Sequence, residues 1–259
     1  MSNSEGGKAA RVESLWRYPV KSMQGAPHEE LSLDAGGVAG DRAFGVLDVN
    51  TGTILSAKRE GRLLEASAST ATGDLVVTLP DGEELRRGVA LDEGLSLWLG
   101  RPVRVVLAAT FGAGTYAMPE DFERDDSNLV QWEGPVGSFV DESPLHLLTT
   151  GDLTQLSLER PDLHWDVRRF RPNVVIATAL TSPELMAPGR HVQLGDLDVA
   201  VLKGCSRCVM TTRVQPNALP RQLDILRHVA RAHGGDVGVR AIATGSGTLR
   251  IGDLVTSGA

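Results

Sequence analysis

The sequence predicts a mainly β protein with minor α, on three observations. Short segments alternate apolar and polar residues, the two-residue period of a half-buried strand. Most of them are bounded by Gly, Pro, Asp or Asn, the residues that punctuate turns. Helical periodicity is confined to three stretches, so strands outnumber helices and a barrel-like architecture is favoured.

The first strand, Val12–Tyr18, stops at Pro19, which lacks an amide donor. Glu30–Leu33 follows and ends at the Gly36-Gly37 turn. Ala43–Asp48 is next. Leu75–Leu79 runs into Asp81-Gly82, a hairpin signal joining two apolar runs. Gly88–Leu99 carries apolar residues at Val89, Leu91, Leu95, Leu97 and Leu99, and reads as a short helix. Val103–Leu107 returns to strand. Thr110–Gln131, with Gly112, Gly114, Pro119 and the charged run from Glu120 to Asp126, reads as a domain junction or surface loop. A helix starts near Thr150 or Gly151, with Asp152 in its first turn. Strands follow at Asn173–Ala177, Val192–Leu194 and Leu197–Leu202. Pro220–His233 is the best amphipathic stretch, apolar at Leu223, Ile225, Leu226, Val229 and Ala230. Val239–Thr244 and Gly247–Ile251 are the last expected strands.

Hydrophobic residues at 41% and charged residues at 23% suit a globular protein with a real core. A net charge of −7 argues against nucleic-acid binding, although 26 Lys and Arg leave room for a local basic pocket. No apolar run is long enough to span a membrane. The polar residues Met1 to Lys8 lack the apolar core of a secretory signal and read as a disordered leader. A cytoplasmic, reducing location is expected, where a disulfide between Cys205 and Cys208 is disfavoured. These two are the chain's whole cysteine complement, too few for a four-thiolate zinc site.

Four runs could carry chemistry. In Tyr18-Pro-Val-Lys-Ser22, Lys21 and Ser22 fall in the turn after a strand, where an ammonium, a hydroxyl and free amides suit an anion. Read alone, Lys21 is also a solvated turn lysine. In Gly40-Asp-Arg42, Asp41 can orient the Arg42 guanidinium as an anion clamp or form a surface pair. Ser56-Ala-Lys-Arg59 adds two cations with the same two readings. In Arg168-Arg-Phe-Arg-Pro-Asn173, three arginines precede a buried strand and need a bound anion, a heterocycle, or pairing with Glu159, Asp162 or Asp166. The fourth run is Gly204-Cys-Ser-Arg-Cys-Val-Met-Thr-Thr212. A single thiolate can hold a soft or high-valent metal, with Thr211 and Thr212 as neighbouring donors; two small residues packed in a strand is the plain alternative. His228 and His233, five apart on the expected helix, are read as lying on different faces. No Gly-x-Ser-x-Gly elbow and no Walker or dinucleotide spacing occurs.

Taken in order, Tyr18-Pro-Val-Lys-Ser22, Gly40-Asp-Arg42, Phe139-Val-Asp-Glu-Ser-Pro144, Phe170-Arg-Pro-Asn173, Cys205-Ser-Arg-Cys208 with Thr211-Thr212, and Gly247-Thr-Leu-Arg-Ile-Gly-Asp253 resemble one family. It is that of the MOSC-domain proteins, with the β-barrel-like N-terminal region that accompanies them in the mitochondrial amidoxime-reducing component and its bacterial relatives. The resemblance implies an N-terminal β-rich region at 8–118 and a β-barrel MOSC domain at 119–257. It implies a molybdenum cofactor (Mo-molybdopterin) whose metal is held by Cys208, the second cysteine of its motif. Lys21, Ser22, Arg42, Arg171 and Asn173 are implied cofactor contacts, with Ser206 and Arg207 as neighbours. Thr149 and Thr150 stand at the helix start where the family usually shows two polar residues, a small residue and Ser. Arg240 stands where the family often has Tyr, at the rim that faces substrate. Val214-Gln-Pro216 replaces the usual Val-Asp-Pro. The implied activity is reduction of small N-oxygenated compounds, hydroxylamines or amidoximes. The chain has no further cysteines for an iron–sulfur centre, so electrons are expected from a separate flavin or iron–sulfur protein. No nucleic-acid or membrane partner is expected. MOSC modules also end the cofactor sulfurases, beside a pyridoxal-phosphate domain that this chain lacks. A carrier of cofactor or sulfur acting in trans is therefore the alternative. An Ala-, Arg- and Gly-rich composition hints at a high-GC bacterium.

Overall fold

The computed structural model of the protein describes residues 10–121, 127–178 and 185–258. Among these, five helices, α1 (Val89–Leu99), α2 (Ala108–Phe111), α3 (Thr150–Glu159), α4 (Val167–Phe170) and α5 (Asp224–Ala232), are set among a majority of strands. The largest sheet has eight strands. Their order is Val255–Ser257, His191–Leu194, Leu197–Ser206, Asp236–Ala243, Leu145–Thr149, Val174–Ala177, Arg11–Arg17 and Ala26–His28. Neighbours are antiparallel except Leu145–Thr149 beside Val174–Ala177, a parallel pair whose crossover carries α3 and α4. Strands from both ends of the chain therefore share one sheet, and Gly247–Arg250 also pairs with Glu30–Asp34. Sheets dominate as expected, and no ladder closes into a barrel among the described residues.

The N-terminal half builds a second core. Phe44–Asp48 is buried along its whole length and pairs with Val103–Leu107. Leu91, Leu95 and Leu99 of α1 pack into that core, and α1 stops at Gly100 in the left-handed conformation that suits a C-cap glycine. The Asp81-Gly82 hairpin forms between Val76–Thr78 and Glu84–Arg86.

Four expectations change. Thr110–Gln131 is more ordered than a loop: Thr115–Pro119 pairs with Leu129–Glu133, and Tyr116 is fully buried against Phe139 and Ile54. Residues 122–126 of its charged run, like the leader, lie outside the described residues. The strand expected to end at Leu202 continues to Ser206 through two bulges. Gly204 makes this continuation possible, because a Cβ there would sit 2.1 Å from an Asp236 carboxylate oxygen. The helix expected from Pro220 starts at Asp224, since the amide of Gln222 is still bonded to the carbonyl of Thr212. Finally, His228 and His233 do not diverge. His233 leaves the helix as its C-cap, and both Nε2 atoms turn onto the Glu159 carboxylate at 2.7 Å.

Candidate functional site

A cleft of about 110 Å³ opens where the two halves meet. Lys21, Ser22, Arg42, Arg171, Asn173, Ser206, Arg207, Cys208 and Arg240 all line it, drawn from segments far apart in the chain. Three of them are held in the left-handed region without being glycine: Ser22 at φ 69°, Arg42 at φ 46° and Arg171 at φ 56°. Such conformations cost roughly 1–3 kcal/mol each and persist only where the surroundings impose them. All three line the cleft, and the Ser22 hydroxyl accepts the Ala57 amide at 2.9 Å.

The cationic wall is braced from behind. Asp41 accepts bonds from the Tyr18 amide at 2.7 Å, from Asn173 Nδ2 at 3.0 Å and from Arg42 Nη1. The Arg42 and Arg171 guanidinium groups both lie over the Tyr18 ring, 4.4 and 4.3 Å from its centroid. Arg171 donates to the Met23 carbonyl at 2.7 Å. Burial, followed by the Arg42 charge, pulls its pKa down to about 10. Asn173 accepts from the His146 amide at 3.2 Å besides donating to Asp41. Its amide is thus engaged in bracing the wall.

Lys21 Nζ donates to the Phe139 carbonyl at 2.8 Å and to Asp141 at 2.7 Å. Burial lowers its pKa, and Asp141 opposes that shift. Burial would raise the Asp141 carboxyl, but the charges of Lys21 and Lys58 hold it far below the usual carboxylate range. Asp141 is the acidic residue in the cleft wall, where cations outnumber it.

The two thiols differ. Cys205 is the penultimate residue of the long strand, 4% exposed, and accepts from Arg207 Nη1 at 2.9 Å. Burial raises its pKa, but the charges of Arg207, His146 and Arg240 and a bond with His146 outweigh it, leaving a value of about 6. Cys208 is more open and caps the 3-10 turn Val209–Thr212. Both cysteines are free. The hydroxyls of Thr211 and Thr212 close that turn by donating to the Cys208 and Val209 carbonyls, so Thr211 bonds the backbone of the expected metal ligand. Arg240 reaches Glu142 at 3.1 Å, at the cleft margin.

Thr149 and Thr150 are not in the cleft wall. Thr149 is fully buried as the N-cap of α3, in a reciprocal capping box with Asp152. Thr150 exchanges bonds with the backbone of Thr178. The polar helix start is a stop-and-start signal for the backbone. Residues missed by sequence reasoning occupy the wall instead. Asp141 and Ser143 come from the Phe139–Pro144 run, and His146 from the buried strand Leu145–Thr149. A histidine inside an apolar run was the available signal for the last.

Residues 9–99 match the MOSC N-terminal beta barrel domain and residues 135–256 match the MOSC domain. The chain is 25% identical to the mitochondrial amidoxime reducing component 2 of Macaca fascicularis, over 78% of this chain and 66% of that protein. It is equally 25% identical to the human mitochondrial amidoxime-reducing component 1, over 78% of this chain and 65% of that protein. The molybdenum cofactor sulfurase of Caenorhabditis elegans is 26% identical over 77% of this chain and 28% of that protein. The chain thus spans about two thirds of the amidoxime-reducing relatives and a smaller part of the sulfurase.

Proposed function

The chain belongs to the MOSC family, with both its N-terminal and its MOSC domains, and on that premise we propose that it binds a molybdenum cofactor in the cleft and reduces small N-hydroxylated or N-oxygenated compounds with it. The observation that carries this reading is the convergence of a cationic wall and an accessible thiol in one cleft. Lys21, Ser22 and Arg42 come from the unit at 8–118, and the cysteines from the unit at 119–257. The donor set suits the group. A phosphorylated pterin needs cations and N–H donors, and Arg207 Nε is buried at the cleft with no hydrogen-bond partner among the described residues. A soft metal needs a thiolate.

When bound, the cofactor would supply two-electron redox chemistry at molybdenum, while the protein positions and tunes it. Cys208 is the metal ligand in this reading, because it is the more open of the two thiols. Lys21, Arg42 and Arg171 hold the phosphate, pre-oriented by Asp141, Asp41 and the Tyr18 ring. Asn173 keeps that wall in place. Ser206 and Arg207 flank the metal position, and Arg207 holds the Cys205 sulfur away as its own partner. Arg240 at the margin offers N–H donors to the oxygen of a substrate's N–O group. Electrons come from a separate flavin or iron–sulfur protein. No helix among the described residues is long and apolar enough to cross a membrane.

Protein made in a host that synthesises the cofactor is expected to carry stoichiometric molybdenum and to reduce a simple amidoxime with a chemical electron donor. Cys208→Ser should lose the metal, and activity should fall more than ~100-fold, while Cys205→Ser retains the metal. Cofactor bound without turnover would point to the carrier. Protein free of metal and pterin from such a host would remove the reading altogether.

A further inference from the structure

We propose that Glu159, His228 and His233 form a second metal site, separate from the cleft, that takes one divalent transition-metal ion of the zinc type. The three residues come from two helices: Glu159 is the last residue of α3, His228 lies midway along α5, and His233 is the C-cap of α5. In a continuous helix five residues turn about 140°, which would part the two imidazoles. The chain instead leaves the helix at His233 (φ −125°, ψ 21°) and turns through Gly234 and Gly235, both at positive φ. That turn brings one nitrogen from each ring and one carboxylate oxygen within 4.8 Å of one another.

The present contacts describe a site poised for an ion. Glu159 Oε2 lies 2.7 Å from both His228 Nε2 and His233 Nε2, so a single oxygen accepts two ring N–H groups. An ion would take the Nε2 lone pair of each neutral imidazole, whose one ring proton then sits at Nδ1, in place of the two hydrogen bonds to the carboxylate. Tetrahedral zinc with bonds of about 2.0–2.1 Å spaces its ligand atoms about 3.3 Å apart, so each imidazole nitrogen, now 2.7 Å from the carboxylate oxygen, would move out by about 0.6 Å. The ligand set is also held from outside. Gln155 Nε2 donates to Glu159 Oε1 at 2.8 Å and fixes the carboxylate plane. The Trp165 ring flanks His228 at 5.8 Å, and the two imidazoles stand at 63° to each other. Two imidazoles with one carboxylate favour Zn²⁺ over the oxygen-seeking Ca²⁺ or Mg²⁺. Glu159 is exposed and the two histidines are half-buried, which leaves the fourth position to water.

The site's place in the fold gives it a structural role. The loop after α5 supports the cysteine run directly: the Gly235 carbonyl accepts the Arg207 amide at 2.8 Å, and Asp236 accepts the Ser206 hydroxyl at 2.8 Å. An ion joining α3 to the end of α5 would fasten that loop.

The whole 259-residue chain titrated with Co²⁺ tests the proposal. The expected result is one equivalent bound, with tetrahedral ligand-field absorption and no sulfur-to-metal charge-transfer band. Zn²⁺ should displace it and raise the melting temperature. His233→Ala and His228→Ala should each weaken binding by about 100-fold or more, and Glu159→Gln, which keeps the side-chain shape, should do the same. The Cys205→Ser/Cys208→Ser double variant should bind unchanged. Absence of stoichiometric binding, a thiolate band, or binding that survives the histidine variants in folded protein would overturn the site. None of these readouts depends on molybdenum, so the outcome is independent of the cleft's function.

Discussion

Cys205 and Cys208 stand three residues apart and are chemically unlike. The first is buried with a guanidinium on its sulfur; the second is more open. A thiol left in apolar surroundings would be pushed up, so the low value of about 6 at Cys205 is mainly the work of Arg207 and His146 against burial. Removing Arg207 should therefore return the thiol toward its ordinary range. In cofactor-free Arg207→Ala, the ultraviolet absorbance of thiolate should titrate about 1–3 units higher than in the parent. The sign is fixed by the charge: a cation favours the ionised sulfur, so the parent holds a Cys205 thiolate above pH about 6 and the variant only from a higher pH. An unchanged titration would mean that His146 and Arg240 suffice.

At the scale of elements, α3 decides how its threonines are read. Thr149 Oγ1 accepts the Asp152 amide at 3.0 Å, and Asp152 accepts the Thr149 amide at 3.2 Å. Thr149→Ala should lower the urea midpoint by an amount equivalent to about 1–2 kcal/mol, the worth of a good N-cap, and leave molybdenum content unchanged. Loss of metal at unchanged stability would place Thr149 at the cofactor instead. The long strand ending at Ser206 offers a second test. Gly204→Ala puts a methyl group into the Asp236 carboxylate, which also holds Ser206. It should destabilise by more than about 1 kcal/mol, and cofactor content should fall with it, because the strand end carries the cysteines. Equilibrium unfolding and metal analysis on the same sample measure both.

For the whole molecule, the cleft is an interface between the two halves of the chain. Its wall takes Lys21 and Arg42 from one half, and Arg171, Arg207 and Arg240 from the other, with Asp141 as the acid among them. In cofactor-free protein these cations face one another across a small space, a repulsion that a bound anion relieves. Inorganic phosphate or pyrophosphate should therefore raise the melting temperature of the cofactor-free protein, by the equivalent of about 2.7 kcal/mol at a hundredfold excess over its Kd. The effect should shrink as sodium chloride is raised, and fall in Arg42→Ala and Arg171→Ala. Equal stabilisation of parent and variants would place the anion elsewhere.

Local pattern in the sequence was enough for the β-rich class, for α1, for the Asp81-Gly82 hairpin and for most strands, because side-chain period and turn chemistry are read over a few residues. The cationic turns at Lys21, Arg42 and Arg171 were legible as motifs for the same reason. Folding decided which of these motifs share a space. It set Thr149 to capping a helix, put Asp141 and His146 in the cleft, and turned His228 and His233 onto Glu159. Each of those outcomes rests on a contact between distant segments, or on one residue leaving a helix. Hydrophobic periodicity encodes neither, since it reports which face of an element is buried and not what meets it there.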